Sequence, residues 1–489
     1  MTAVAEVPTP DQVKNPHRWW ALGVIALAQL MAVLDATIVT IALPEAGKEL
    51  SLTDAQLAWV VASYSLAMGS LLLLGGRIGD FMGRKRIFLI GLIGFAIVSG
   101  IGALAVDATM LIAARAGQGV FAALLTPAAL ALLTVTFVDP AERAKAFAVY
   151  GAIAGGGMAV GLILGGVLTE YFSWRWTLGV NVPLSLIAVV LGMKFLTESR
   201  AEGEHKYDIP GVIVSALGLG SLVYGFTLAG ETEGGWRAPS ALAFIVGGFV
   251  LLGAFVAWET RAKNPLLPMR VFVDRNRGGS FLSLTLLAIG LSALFFFLTF
   301  YFQGSLGLTP VQTGLAFLPF AIAIVATSVV TASLLPKFGP RPLIVSGALI
   351  ASVGMFILSR LTVDSGMGMI MVAQVLVGVG VAFAVVPLSS TALIGVGQAD
   401  AGVASALVNA VQQIGAALGI TLLNSVAASA TAYQLCEFPD DLTGAQVTGF
   451  TQAFLIGGFV LIATAVISFV LISAKKGEVA EGDTPAMMG

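Results

Sequence analysis

Gly76-Arg77-Ile78-Gly79-Asp80-Phe81-Met82-Gly83-Arg84-Lys85-Arg86 is a polar turn set between two apolar stretches, near residues 56–75 and 87–105. A loop that only fixes orientation in a membrane needs Lys and Arg and nothing more. This one also carries glycines and an acid, which predicts a tight turn held by charge–dipole contacts. Gly76, Asp80, Gly83 and Arg84 are its candidate gating residues, with Asp80 and Arg84 expected to latch the inward-closed state against neighbouring helix ends. A plain topogenic loop is the alternative.

The two flanking stretches are part of a longer series. Runs of about 18–25 apolar residues, each able to cross about 30 Å of hydrocarbon, fall near 19–43, 56–75, 87–105, 109–136, 145–169, 177–196, 209–229 and 239–258. Six more fall near 280–303, 312–335, 341–360, 367–390, 402–427 and 449–473, making fourteen. Composition agrees: the chain is 57% hydrophobic and 11% charged, where a soluble chain carries roughly 25% charged residues. Twenty of its 25 Lys and Arg residues fall in connections on one side of such a bundle. Only Lys48, Arg175, Arg237 and Arg360 fall on the other, and Arg115 lies inside a span. One missed helix would scramble that split, so the count holds and both termini are expected to be cytoplasmic, in the cell membrane.

Function classes narrow at once. A net charge of −2 offers no basic field for nucleic acid. The single cysteine, Cys436, excludes an intrachain disulfide and a cysteine metal cluster. His17 and His205 lie in polar connections and read as solvated bystanders. There is no Gly-x-x-x-x-Gly-Lys-Ser/Thr loop for ATP, and no catalytic constellation. The expectation is a non-enzyme without cofactor, moving solutes passively or on an ion gradient.

The chain also repeats itself. Gly157-Met-Ala-Val-Gly-Leu-Ile-Leu164 matches Gly415-Ala-Ala-Leu-Gly-Ile-Thr-Leu422, Pro127 corresponds to Pro387, and the polar turn has a faded echo in Lys337-Phe338-Gly339-Pro340-Arg341. Two duplicated halves with a pair of inserted helices is an arrangement expected of secondary transporters. The divisions are a tail over 1–18, six helices over 19–200, two inserted helices over 201–258 and a linker over 259–278. Six helices over 279–473 and a tail over 474–489 complete them.

Charges inside the spans are few. Asp35 in the first span and Arg115 in the fourth sit at similar depth in the outer half of the membrane, about eight and about six residues from the outer ends of their apolar runs. A bare charge in hydrocarbon costs several kcal/mol, so the two are expected to pair, with Asp35 alternately carrying a proton. Arginine stays charged, so only Asp35 can titrate. A static structural salt bridge is the alternative. Arg115, Gln118, Gly119, Ala122 and Thr126 form one helix face, expected to line a water-accessible cavity, with Pro127 a possible kink below it. Gly157, Gly161 and Gly165 form a stripe that permits close helix contact, and join the candidate gate.

Taken together these stretches resemble the major facilitator superfamily, in its fourteen-helix drug:proton antiporter branch. Leu34-Asp35-Ala36-Thr37-Ile38-Val39-Thr40-Ile41-Ala42-Leu43-Pro44 resembles that branch's first-helix motif. Gly76–Arg86 matches the superfamily's loop motif and Arg115-Ala116-Gly117-Gln118-Gly119 its fourth-helix motif. Trp174-Arg175-Trp176, Asn181-Val182-Pro183 and Tyr301-Phe302-Gln303 leading to Gly314 and Pro319 are also typical. Two positions depart: Leu162 replaces the antiporter motif's usual proline, and Asn409, Gln412 and Gln413 stand where polycation exporters carry acids.

The resemblance implies an all-α membrane fold of two pseudo-symmetric six-helix bundles plus two inserted helices. It also implies proton-coupled, probe-broad efflux of lipophilic drugs or antibiotics by a monomer, with protons and membrane lipids as its other partners. The implied central cavity is lined, on pattern, by Tyr64, Gln118, Tyr150, Phe295, Gln303, Gln374, Asn409 and Gln413. Fewer buried acids favour neutral, zwitterionic or monocationic substrates. The competing readings are a dedicated exporter of one endogenous metabolite and a non-transporting scaffold or receptor of the same fold.

Overall fold

The computed structural model describes residues 16–200, 208–232, 234–262, 265–397 and 400–474, with the side chains of Ala154 and Ala401 left aside. His205, most of both expected tails and part of the 201–258 and 259–278 segments lie outside the described residues. Fourteen helices are long and apolar enough to cross a membrane. They are α1 Arg18–Leu50, α2 Asp54–Met82, α3 Arg84–Ala103, α4 Ala108–Thr136, α5 Pro140–Tyr171, α6 Trp176–Phe195 and α7 Ile209–Glu231. The rest are α8 Pro239–Glu259, α9 Arg275–Ser305, α10 Pro310–Phe338, α11 Pro340–Leu358, α12 Met367–Thr391, α13 Ala401–Glu437 and α14 Leu442–Leu471.

Each predicted span has its helix, but several helices outrun the apolar window. α1 continues through Pro44 to Leu50, so Asp35 lies near its middle rather than in its outer half. Hydropathy detects only the part that needs lipid, whereas backbone hydrogen bonding carries a helix on to its caps. Those caps repeat in the two halves. Thr53 and Gln56 form a capping box at the start of α2, and Thr309 and Gln312 form the same box at the start of α10. α4 runs unbroken through Pro127, and α5 past Leu162.

Lipid gives no hydrophobic drive for helices to associate, so close packing of small residues must do it. The same glycine contacts recur in both halves. Gly157 and Gly165 of α5 seat against Val33 and Ile38 of α1, while Gly415 and Gly419 of α13 seat against Ala288 and Ile289 of α9. Gly119 of α4 meets Ala67 and the Met68 amide of α2, and Gly378 of α12 meets Ala323 and the Ile324 amide of α10. α3 packs on α6 as α11 packs on α14. Of the inserted pair, α7 touches α2 and α13, one helix from each half, and α8 packs chiefly on α7.

We call the end where α1 begins and α14 finishes the near end. At the far end the halves close. The Val311 amide donates to Glu170 (2.9 Å), Gln303 Nε2 to the Ile41 carbonyl (2.9 Å) and Asn424 Nδ2 to the Asp54 carbonyl (3.3 Å). Toward the near end α5 loses such neighbours: a side chain at Gly151, Gly155 or Gly156 would meet nothing within 4 Å. The near-end ion pairs Arg18–Glu142, Asp80–Arg84 and Arg270–Asp400 each stay within one half. Among the described residues, the three cross-half hydrogen bonds above tie the far end, and these near-end ion pairs do not join the two halves.

A Cβ on Gly119 would lie 2.9 Å from that of Ala67. Gly119→Val is expected to cost about 1–3 kcal/mol and to lower the thermal unfolding midpoint of the purified protein. Gly253, with open space around it, is expected to accept valine within about 0.5 kcal/mol.

Candidate functional site: a buried ion pair inside the first half

Asp35 and Arg115 meet. Arg115 Nη1 lies 2.6 Å from Asp35 Oδ2, with side chains 2% and 0% exposed. The guanidinium also donates through Nε to the Val60 carbonyl (3.2 Å) and through Nη1 to Gln118 Oε1 (2.8 Å). Its carbon sits 4.5 Å from the centre of the Tyr64 ring, a cation–π contact strengthened by desolvation. Asp35 Oδ1 accepts from Gln118 Nε2 (2.8 Å) and Asn181 Nδ2 (2.6 Å). Gln118 Nε2 also donates to Ser99 Oγ (2.8 Å). One carboxylate therefore takes three donors from α4 and α6, and a buried pair is stable only when so satisfied.

Helix geometry explains why these residues converge. Arg115 and Gln118 are three apart on α4 and share a face. Gly119, on the next position, lets α2 approach closely enough for Tyr64 to slide under the guanidinium. The face expected to line a water-accessible cavity, Arg115, Gln118, Gly119, Ala122 and Thr126, is buried except at the half-buried Thr126. Arg115, Gln118 and Ala122 are 2%, 0% and 0% exposed. The face packs inside the first half because its charge is satisfied there, not by water.

From sequence, Asn181 stands only within the Asn181-Val182-Pro183 motif with no site role, and Ser99 carries no expectation. Asn181 is a polar residue opening an apolar run, and that was a readable signal. A single serine in a span gives none, since serines commonly bond their own helix.

The eight residues predicted to line a common cavity are scattered. Tyr64, Gln118 and Gln374 are buried and committed to neighbours, Gln374 through a bond to the Ala316 carbonyl (3.0 Å). Phe295 packs on Phe317 and Phe320, and Tyr150 is buried on α5. Asn409 bonds back to Ser405 on its own helix, while Gln413 reaches Met68 Sδ across the α2–α13 seam (2.9 Å). Gln303 lines a far-end cavity of about 310 Å³ with Phe296, Phe297, Phe300, Phe450 and Asn424. Sequence pattern cannot say which polar side chains are consumed by their neighbours. A second cavity, of about 490 Å³, lies among Trp59, Leu66, Ala113 and Ala216 and contains none of the eight.

In this form the Gly76–Arg86 turn is held by charge–dipole contacts of Glu198 and Lys85. Gly83 (φ +114°) joins α2 to α3, and Glu198 accepts the Lys85 and Arg86 amides (3.1 and 3.2 Å) at the α3 N-terminus. Lys85 Nζ in turn bonds the Met193 and Leu196 carbonyls at the end of α6 (2.9 and 2.7 Å). Asp80 and Arg84 pair with each other (2.8 Å) and not with a neighbouring helix end. Gly76 rests on Pro127 of α4. Gly161, with Gly157 and Gly165, abuts α1 on the stretch that carries Asp35. His17 packs on Phe195.

A profile described as Major Facilitator Superfamily matches residues 25–420. A puromycin resistance protein of Streptomyces alboniger is 46% identical over 97% of this chain and 95% of its own length. A cephamycin export protein of Amycolatopsis lactamdurans is 37% identical over 92% of each. A multidrug efflux pump of Mycolicibacterium smegmatis is 32% identical over 86% of this chain and 82% of its own. Among solved structures, a bacterial homologue of the human lysosomal transporter Spinster, inward-facing and unoccupied, superposes with a TM-score of 0.66 at 18% identity, covering 97% of this chain and 100% of that one. With its fourteen helices, its paired halves and these relatives, the chain belongs to the Major Facilitator Superfamily.

Proposed function

We propose that the chain exports lipophilic drugs or antibiotics across the cell membrane, each outward step driven by a proton returning to Asp35. The buried Asp35–Arg115 pair carries this reading. Arg115 is permanently charged and sealed from water, so its partner's protonation state decides whether the site is neutral or carries a net positive charge. In this form Asp35 faces three donors, from Arg115, Gln118 and Asn181, an environment that suits the carboxylate this reading expects after a proton has left. Protonation removes the attraction to Arg115 and leaves one oxygen a donor. Asn181 Oδ1, buried without a partner, is placed to accept from it once the amide turns. α1 then shifts against α4 and α5, and the glycine stripe Gly157, Gly161, Gly165 is the surface on which it slides.

The near end is the cytoplasmic one on this reading, supported by the Lys and Arg asymmetry. Substrate enters at the near end, and aromatic and amide side chains on both halves, Phe295 and Gln413 among them, suit neutral or monocationic amphiphiles. Gly76, Asp80, Gly83 and Arg84 form the turn that must rearrange when the near end closes. The chain needs no cofactor for this and works as a monomer. A second reading, a dedicated exporter of one endogenous compound, is favoured by the single-compound names of the relatives at 46% and 37% identity.

Three outcomes follow. Asp35→Asn, which keeps a polar partner for Arg115, is expected to abolish dye efflux driven by an imposed pH gradient in proteoliposomes while preserving solute exchange at equal pH. Undiminished gradient-driven efflux would refute the coupling role. Cys436 is exposed at the far end, so a membrane-impermeant maleimide should label it in intact cells; labelling only after permeabilisation would reverse the orientation. A susceptibility panel over unrelated compounds, with and without the gene, should show protection across several classes, whereas protection against one compound would select the dedicated exporter.

A further inference from the structure

The inserted helix pair is rooted at the near end by two carboxylates that the cycle above does not use. Asp208 caps α7: its Oδ1 accepts the Gly211 amide (3.0 Å) and the Trp258 indole N–H (2.8 Å). Glu259 is the last residue of α8, and its Oε2 accepts the Leu267 amide of the linker (2.8 Å). The two residues are 6% and 3% exposed. Their remaining oxygens, Asp208 Oδ2 and Glu259 Oε1, are buried and have no donor. Both converge on Gly211, where a Cβ would lie 2.6 Å from one and 2.7 Å from the other.

Two buried carboxylates that face each other cannot both stay ionised at modest cost. A single proton shared between them turns two orphan acceptors into one charge-assisted hydrogen bond. The helix dipoles say where that proton sits. Asp208, at the α7 N-terminus, is favoured as an anion, and Glu259, at the α8 C-terminus, is disfavoured as one. Burial pushes the Asp208 carboxyl up, but the Trp258 and Gly211 donors, with the Glu259 carboxyl beside them, outweigh it and hold the group below its ordinary range. The charged group facing the pair from α2 is Arg77 of the polar turn. Its guanidinium donates to the Pro265 carbonyl, two residues before the amide that Glu259 holds.

We propose that Asp208 and Glu259 form a second proton-binding site, holding one proton between them, which clamps the linker and the foot of α2 to the inserted helices. With the proton bound, Glu259 fixes Leu267 and Pro265 stays beside Arg77, so the first half, the inserted pair and the route into the second half are tied at one point. Loss of the proton sets two anions against each other and frees the clamp. The site therefore reads near-end pH, separately from Asp35.

The test is infrared spectroscopy of the purified full-length protein titrated with pH. The parent should show a titrating protonated-carboxyl carbonyl band that Glu259→Gln loses and Asp35→Asn keeps. Asp208→Asn should shift that band, since Glu259 then faces an amide, and it guards against a misfolded glutamine variant. Trypsin cleavage at the linker, corrected for the protease's own pH dependence, should rise several-fold above the titration in the parent and stay flat in Glu259→Gln. A parent without the band, or a band unchanged in both variants, would overturn the proposal. Neither readout involves transport, so failure here is separate from failure of the efflux reading.

Discussion

A guanidinium held away from water is costly unless it is paired and hydrogen-bonded. Arg115 imposes that condition on the first half. Meeting it requires Asp35 from α1, the Val60 carbonyl from α2 and Gln118 from its own helix, with Asn181 from α6 and Ser99 from α3 completing the donors and acceptors behind them. Every helix of the first half except α5 contributes an atom, and α5 backs the α1 segment with its glycines. Removing one partner of such a pair costs about 3–5 kcal/mol, so the pair specifies the packing of its helices as much as any apolar contact does.

The second half repeats the scaffold without the charge. Gly119 and Gly378 occupy equivalent seats, and four residues before each stand Arg115 and Gln374. Arg115 bonds the Val60 carbonyl and Gln374 the Ala316 carbonyl, each reaching the neighbouring helix in the same way. An amide satisfies that carbonyl as well as a guanidinium does, and needs no acid on the opposite helix. The backbone contact thus belongs to the duplicated fold, while the ion pair belongs to one copy. A titratable group confined to one half gives two otherwise similar bundles different responses to a proton.

The number of spans was legible because hydrocarbon tolerates so few charges: twenty cations on one side and four on the other leave little freedom in the count. The glycine repeat was legible for a similar reason, since only small residues let helices touch in lipid. Span ends were less so. α1 gains seven residues beyond Leu43 because capping and backbone bonding, not hydropathy, end a helix. The Asp35–Arg115 pair could be anticipated from cost alone. Its other ligands could not, because an amide or a serine in a span reads the same whether it bonds a distant carboxylate, as Asn181 does, or its own helix, as Asn409 does.

The sequence by itself determined the solvent, the fourteen crossings, the duplicated halves and the identity of the two charges that had to find each other. Each follows from a transfer cost that depends on residue type and spacing. Tertiary structure decided which end is tied across the halves, which predicted polar residues are already spent, and that Asp208 and Glu259, 51 positions apart, confront one another over a glycine. Those outcomes depend on which helix faces lie together, and pairing between distant faces is invisible to any local pattern.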